Sequence, residues 1–188
     1  GFYAAATTID AHPAIKAASP QAPLVDWFIG DDVHHNGAFS LHQSFNFDAM
    51  FDLMKPEDTK VRNFRPRFSH GTPDAYDFFL RMGPLSRANE VHFKGIHGFW
   101  NQTMEHPNYD DFWKKRALWP HFKDTKPAVL TVGGWFDAED LYGPLKTYAT
   151  IEANRPKSDN TLVMGPWVHG GWSRSDGDSL GPVSFATK

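Results

Sequence analysis

Apolar positions form two short continuous runs in the C-terminal third, Ala128-Val129-Leu130-Thr131-Val132 and Thr161-Leu162-Val163-Met164. Each is bounded by turn residues and too short for a buried helix, which predicts two strands covered on both faces. Ala138 to about Ala153 predicts a helix between them, and Asn154-Arg155-Pro156 predicts the turn that ends it. The two strands begin about thirty residues apart, the span of one strand–helix–strand crossover.

Upstream, Phe2 to Ala11 predicts a helix, with Ala4-Ala5-Ala6 permitting close packing and His12-Pro13 ending it. Ala14 to Ser19 predicts a short buried strand, closed by Pro20 and Pro23. Asp26 to about Pro120 differs in character. Phe47, Met50, Phe51 and Met54 recur at helical spacing and predict one apolar helical face. A second helix is expected from Pro73-Asp74 to Met82, stopped by Gly83-Pro84, and a third over Tyr109 to Leu118 between Pro107 and Pro120. The expected organisation is therefore α/β at residues 1–25, a helical cap insertion at 26–120, and α/β again at 121–188.

Composition narrows the function classes. The net charge of −3, from 19 Lys+Arg against 22 Asp+Glu, offers no basic surface for nucleic acid or anionic lipid. No run approaches the roughly 18 apolar residues of a membrane span. Cysteine is absent, which removes disulfides, thiolate metal sites and a cysteine nucleophile. Aromatic residues make up 15%, including 16 Phe and 7 Trp, which suits either a Phe-rich core or a pocket for acyl and aromatic groups.

Candidate chemistry stands at the ends of the two C-terminal strands. The first runs into Gly133-Gly134-Trp135-Phe136-Asp137, the second into Gly165-Pro166-Trp167-Val168-His169-Gly170-Gly171. Reactive side chains of open parallel sheets gather outside the carboxyl ends of the strands. An acid after one strand and a histidine after the next match the last two members of a Ser…Asp…His triad. His169 would act as general base and Asp137 would orient its imidazole, with Trp135 and Trp167 walling the site. Taken singly, Asp137 also suits a helix N-cap and His169 an ordinary loop position. Glu139 and Asp140 are rival acids, but the expected helix contains them. No Gly-x-Ser-x-Gly stands between a predicted strand and a predicted helix; Gly177-Asp178-Ser179-Leu180-Gly181 has the spacing but runs into Gly181-Pro182 and lacks the setting of a nucleophile elbow.

These motifs resemble one family of serine α/β-hydrolases, which includes α-amino acid ester hydrolases, cocaine esterase, glutaryl acylase-like enzymes and X-Pro dipeptidyl-peptidases. Asp31-Asp32-Val33-His34-His35-Asn36-Gly37-Ala38-Phe39 and His106-Pro107-Asn108-Tyr109-Asp110-Asp111-Phe112-Trp113 resemble its α-amino acid ester hydrolase branch. The resemblance implies the second half of an α/β-hydrolase parallel sheet with a helical cap, cleaving esters or amides through an acyl-enzyme. Gly1-Phe2-Tyr3 resembles the tail of the family's Gly-x-Ser-Tyr-x-Gly, which implies a nucleophile three residues before Gly1. This chain by itself is then expected to be inactive. Packing with an N-terminal half and a C-terminal jelly-roll domain, or self-association, is implied likewise. The family leans towards a secreted or periplasmic location.

Paired acids are further candidates. Relatives with α-amino acyl substrates hold the ammonium group with carboxylates, so Asp31, Asp32, Asp110 and Asp111 are candidate substrate contacts, or else solvated loop and helix-capping acids. His34-His35 points its rings apart on a strand, no His-Glu-x-x-His is present, and Asp176-Gly177-Asp178 lacks the glutamate of a calcium loop. No metal or cofactor is expected. The alternative to a small-molecule hydrolase is a non-catalytic helical binding module that has lost the upstream serine. Metal-dependent hydrolysis is a third reading, testable with a chelator.

Overall fold

The computed structural model describes residues 1–30, 32–51, 68–95 and 98–186. They divide into two compact units, one of Gly1–Phe39 with Asp111–Lys188 and one of Ser40–Asp110. Both divisions fall inside the 26–120 segment, whose ends, 26–39 and 111–120, pack with the first unit.

The first unit is an α/β structure around a parallel sheet. Strand β1 (Ala17–Ala18) precedes an antiparallel hairpin of β2 (His34–His35) and β3 (Ala38–Phe39). The main sheet is completed by β4 (Ala128–Gly134) and β5 (Asn160–Gly165), in the order β1-β4-β5 with both pairings parallel. The two apolar runs are thus strands, each slightly longer than their apolar residues. The expected strand at 14–19 shrinks to the two residues of β1, joined by the isolated pairing of Gln21 with Val132.

Two helices bear on this sheet. The first, α1 (Phe2–Ala6), is followed by turns through Asp10, whose φ of 47° ends any helical path. It is therefore shorter than the 2–11 span expected. The crossover helix spans Tyr142–Asn154 and buries Gly143, Pro144, Thr147 and Ile151, a single face repeating every turn. Ala5, Val25, Phe122, Val129 and Ile151 form the core, with Ile9, Leu118, Trp119 and Tyr142 packed around it. Each such fully buried aliphatic or aromatic side chain contributes about 1.5–3 kcal/mol. On the opposite face of the sheet Leu130 and Val163 remain 42% and 38% exposed.

The loop between β1 and the hairpin is closed by Asp26. Its Oδ1 accepts from the backbone N–H groups of Phe28 and Ile29, and its Oδ2 from Trp119 Nε1 at 3.2 Å. Asn36 and Gly37 make the two-residue hairpin turn with φ of 49° and 90°, the left-handed pair such a turn requires. The hairpin buries His34 against Phe28 while His35 faces solvent, so the adjacent imidazoles diverge. Desolvation holds His34 below the usual imidazole range.

In the second unit, α2 (Leu41–Phe51), α3 (Ala75–Met82), a five-residue π-helical turn (Ala88–His92) and α4 (Gly98–Glu105) surround an aromatic core. Phe45 is fully buried at its centre, 4.8 Å from Phe93 and edge-on to Phe78, Phe79 and Trp100. Asp74 caps α3 by accepting from Asp77 N–H, and Gly83 ends it at φ 75°, as the sequence signals predicted. The α2 face differs from expectation: Phe45, Asp48 and Ala49 are buried, while Phe47 and Met50 are 46% and 38% exposed. Met54 lies outside the described residues. In the first unit the helix expected over 109–118 is the single turn α5 (Asp111–Lys114), which makes the crossover helix α6.

Candidate active site

The carboxyl ends of β4 and β5 are held in register at Gly134 opposite Gly165, and the chain leaves both strands on the same side. The two exits are then tied together by backbone. Trp135 N–H donates to the Gly165 carbonyl at 2.9 Å, and Phe136 N–H to the Trp167 carbonyl at 3.1 Å. This close approach requires glycine. A Cβ on Gly134 would sit 2.1 Å from the Trp167 carbonyl oxygen, and one on Gly165 2.4 Å from the Trp167 ring.

These ties bring Asp137 and His169 together across 32 residues of sequence, His169 Nδ1 lying 2.9 Å from Asp137 Oδ2. The Asp137 side chain is wholly buried, and its other oxygen, Oδ1, accepts from the backbone N–H groups of Glu139 and Asp140 at 3.0 Å each. Asp137 thus uses its two oxygens separately. One oxygen caps the turn beyond the strand and the other orients the imidazole. With Nδ1–H donating to the carboxylate, Nε2 carries the lone pair, the tautomer a general base needs. Arg174 donates to the His169 carbonyl at 2.7 Å, and Trp172 lies edge-on to the ring at 6.1 Å.

Burial pushes the Asp137 carboxyl up. The His169 hydrogen bond and the two backbone donors outweigh it and hold the group below the ordinary carboxylate value. His169 moves the other way, to about 9, chiefly through the Asp137 hydrogen bond and against its own desolvation.

Asp140 completes the cluster and was not anticipated there. Its Oδ2 lies 3.7 Å from His169 Nδ1, and the residue is buried. Burial first, then the negative charges of Asp32 and Asp137, push its carboxyl up to about 8 against the pull of His169. The expected helix began too early. Residues 137–141 form a turn, and α6 starts only at Tyr142, so Glu139 and Asp140 face the strand ends from a loop. Pro144 was the available signal, because proline belongs in the first turn of a helix. Glu139, Asp140 and His169 each place one possible donor atom within 4.8 Å of the others.

The remaining candidates separate. Asp32 lies near enough for its charge to bear on Asp140. Asp31 lies outside the described residues. Asp110 belongs to the second unit, where its Oδ2 stands 2.6 Å from His106 Nδ1, and Asp111 is exposed at the start of α5 in the first. Trp135 is 53% exposed beside Asp137. Trp167 instead packs beneath the site, against Gly165, Gly171 and Gly177. Gly177, at φ 75°, has space for its backbone only, with the Trp167 Nε1 3.0 Å from where a Cβ would be.

Comparison with known proteins finds relatives over most of the chain. Cocaine esterase of Rhodococcus sp. (strain MB1 Bresler) is 29% identical over 69 residues, 37% of this chain and 11% of the esterase. The crystal structure of an aminopeptidase from a marine sediment Thaumarchaeota archaeon superposes with a TM-score of 0.76 at 34% identity, covering 95% of this chain and 28% of the aminopeptidase. An α-amino acid ester hydrolase structure superposes with a TM-score of 0.79 at 30% identity, covering 97% and 29% respectively. The chain thus spans less than a third of these structures. The fold is that of α/β-hydrolase-type enzymes. Residues 1–171 match the family described as X-Pro dipeptidyl-peptidase (S15 family), and the chain belongs to that family of hydrolases.

Proposed function

We propose that the protein containing this chain is a serine hydrolase that cleaves ester or amide bonds through an acyl-enzyme, with His169 as general base and Asp137 as its orienting acid. The observation that carries this reading is the 2.9 Å contact between His169 Nδ1 and Asp137 Oδ2. In the proposed reaction, Nε2 takes the proton of a serine hydroxyl as its oxygen bonds to the substrate carbonyl carbon. The tetrahedral intermediate collapses with that proton passed to the leaving alcohol or amine. Water repeats the sequence on the acyl-enzyme and releases the carboxylic acid. The serine is expected three residues before Gly1, where the family motif would place it.

The test uses the full-length protein with an activated ester. A burst of leaving group equal to the enzyme concentration is expected. His169→Ala should lower turnover by about 10³-fold or more. Near-normal hydrolysis by that variant would remove His169 from the mechanism. A residue other than serine at the upstream position would favour the non-catalytic reading instead.

A preference for α-amino acyl groups is a finer part of the proposal, supported by the buried Asp140 beside Glu139 and within the field of Asp32. A substrate ammonium group would favour the ionised form of Asp140 and pair with it, which gives that buried acid a partner. The α-amino ester should then be hydrolysed with a lower KM than its des-amino counterpart.

A further inference from the structure

The second unit contains a cleft that the hydrolase reading does not use. It encloses about 260 Å³ between α3 and the π-helical turn and is lined mainly by His70, Phe78, Arg81, Met82, Arg87 and His92. The local sequence explains its shape. Phe78, Arg81 and Met82 fall at i, i+3 and i+4 on one face of α3. Gly83, at φ 75°, then reverses the chain so that Arg87 and the turn lie opposite. The turn closes by Phe93 N–H donating to the Ala88 carbonyl at 3.0 Å, a rare five-residue repeat that is frequent at functional sites.

Its chemistry is one-sided. Two guanidinium groups and two imidazoles share the lining with an apolar floor of Phe78, Met82 and Val91, and among the described residues no aspartate or glutamate lines it. Arg81 reaches only a loose, exposed pairing with Asp77 at 3.5 Å, on the helix surface. The His70 Nε2 is buried without a hydrogen-bond partner, and the His70 and His92 rings each stand 4.9 Å from that of Phe78. A buried polar atom without a partner is costly unless a ligand or water supplies one. Guanidinium groups over an aromatic floor match a planar carboxylate carried on an apolar body. The volume of about 260 Å³ lies just below the roughly 300 Å³ at which drug-sized sites begin, which limits the ligand to a small one.

We propose that the cleft between α3 and the Ala88–His92 turn binds a small organic carboxylate with an apolar tail, the acid held by Arg81, Arg87 and the two imidazoles and the tail resting on Phe78 and Met82. Its lining residues all lie in the second unit, whereas Asp137 and His169 belong to the first. Both imidazoles sit below their ordinary pKa, first through desolvation, then through His42 beside His70 and Arg87 beside His92. A bound carboxylate reverses that balance and raises both.

The experiment titrates the full-length protein with phenylacetate and with neutral 2-phenylethanol, following heat and the imidazole NMR signals. His70→Gln and His92→Gln spectra assign those signals. Phenylacetate should bind at least tenfold more tightly than the alcohol and move the titration midpoints of His70 and His92 upward. Arg81→Gln with Arg87→Gln should erase at least tenfold of the acid's affinity and leave the alcohol's unchanged. N-acetyl-alanyl-phenylalanine, tested in a His169→Ala background, separates a peptide C-terminus from a free small acid as the natural source, by which of the two binds more tightly. Equal binding of acid and alcohol, or acid binding that leaves both imidazoles and the double variant unmoved, would overturn the proposal. Should the double variant unfold, the imidazole titrations of the unsubstituted protein decide alone.

Discussion

Asp140 Oδ2 stands 3.7 Å from His169 Nδ1, next in line behind the Asp137 oxygen at 2.9 Å. The imidazole therefore has one hydrogen-bonded acid and one acid in reserve, and their ionisation differs. Asp137 is held charged by three donors, whereas Asp140 is neutral until about pH 8. Below that pH Asp140 adds no negative charge to His169, and Asp137 alone orients the ring.

Asp137→Asn and Asp137→Ala should separate orientation from folding. Asparagine keeps a carbonyl oxygen for the Glu139 and Asp140 N–H groups but can no longer stabilise an imidazolium. Turnover should fall by about 10³–10⁴-fold, with stability reduced through the lost imidazolium pairing but not through the turn cap. Alanine also removes the turn cap, at a cost of about 1–2 kcal/mol. Chemical denaturation of both variants beside their rates would show the difference, and equal destabilisation would count against the cap.

The pH dependence follows from the raised His169. Its folded value of about 9 lies above the ordinary imidazole value of 6.5, so the stability it contributes is complete below 6.5 and is lost as pH rises through 9. A general base works in its neutral form, so kcat/KM should climb on an alkaline limb through the same window. The depressed Asp137 has the opposite sense. Its contribution is present above the ordinary carboxylate range and lost as pH falls through its lowered folded value. A profile whose kcat/KM already levels off below pH 6.5 would contradict the coupling to Asp137.

Asp140→Asn tests the ammonium reading. At neutral pH the free enzyme already holds Asp140 uncharged, so asparagine should leave hydrolysis of a des-amino ester nearly unchanged. KM for the matching α-amino ester should rise about tenfold or more, since the ammonium group has lost the acid it would ionise. Equal effects on both esters would argue that Asp140 acts only through His169.

Gly134→Ala and Gly143→Ala should be among the most damaging small substitutions. Their added methyls would fall 2.1 Å from the Trp167 carbonyl oxygen and 1.7 Å from that of Pro23, both backbone atoms that cannot swing away. Losses of about 1–3 kcal/mol or more are expected in urea unfolding. Gly98→Ala, where nothing lies within 4 Å, is the control and should be neutral or mildly stabilising.

A chelator should leave turnover unchanged. The proposed Ser–His–Asp chemistry uses no metal, and the Nδ1 of His169 is already engaged by Asp137. Loss of activity that zinc or calcium restores would revive the metal reading.

Strand β4 was legible because a strand buried on most of its length is largely apolar, and Ala128 to Val132 has only Thr131 as an exception; β5, whose exposure alternates, was legible as a short apolar run between turns. The exits were legible because glycine and an acid or histidine directly follow those runs. The start of α6 was misread because helix propensity favours residues 138–141, whereas Pro144 fixes the first turn. That single shift concealed Asp140. The α2 face was misread for another reason. Spacing makes Phe47 and Met50 an apolar stripe, but Phe45 wins the interior by meeting Phe78, Phe79 and Phe93, a tertiary preference that no local window contains.

The pairing of Gly134 with Gly165 has a meaning beyond packing. A slip of one residue between β4 and β5 would shift their ends by about 3.3 Å and turn alternate side chains to the other face. Asp137 and His169 would then miss each other, and a buried carboxylate would lose its imidazole. The acid–base contact thus proofreads the assembly of the sheet: only a correctly aligned crossover closes it, so misassembled molecules carry a penalty at the place where chemistry is expected.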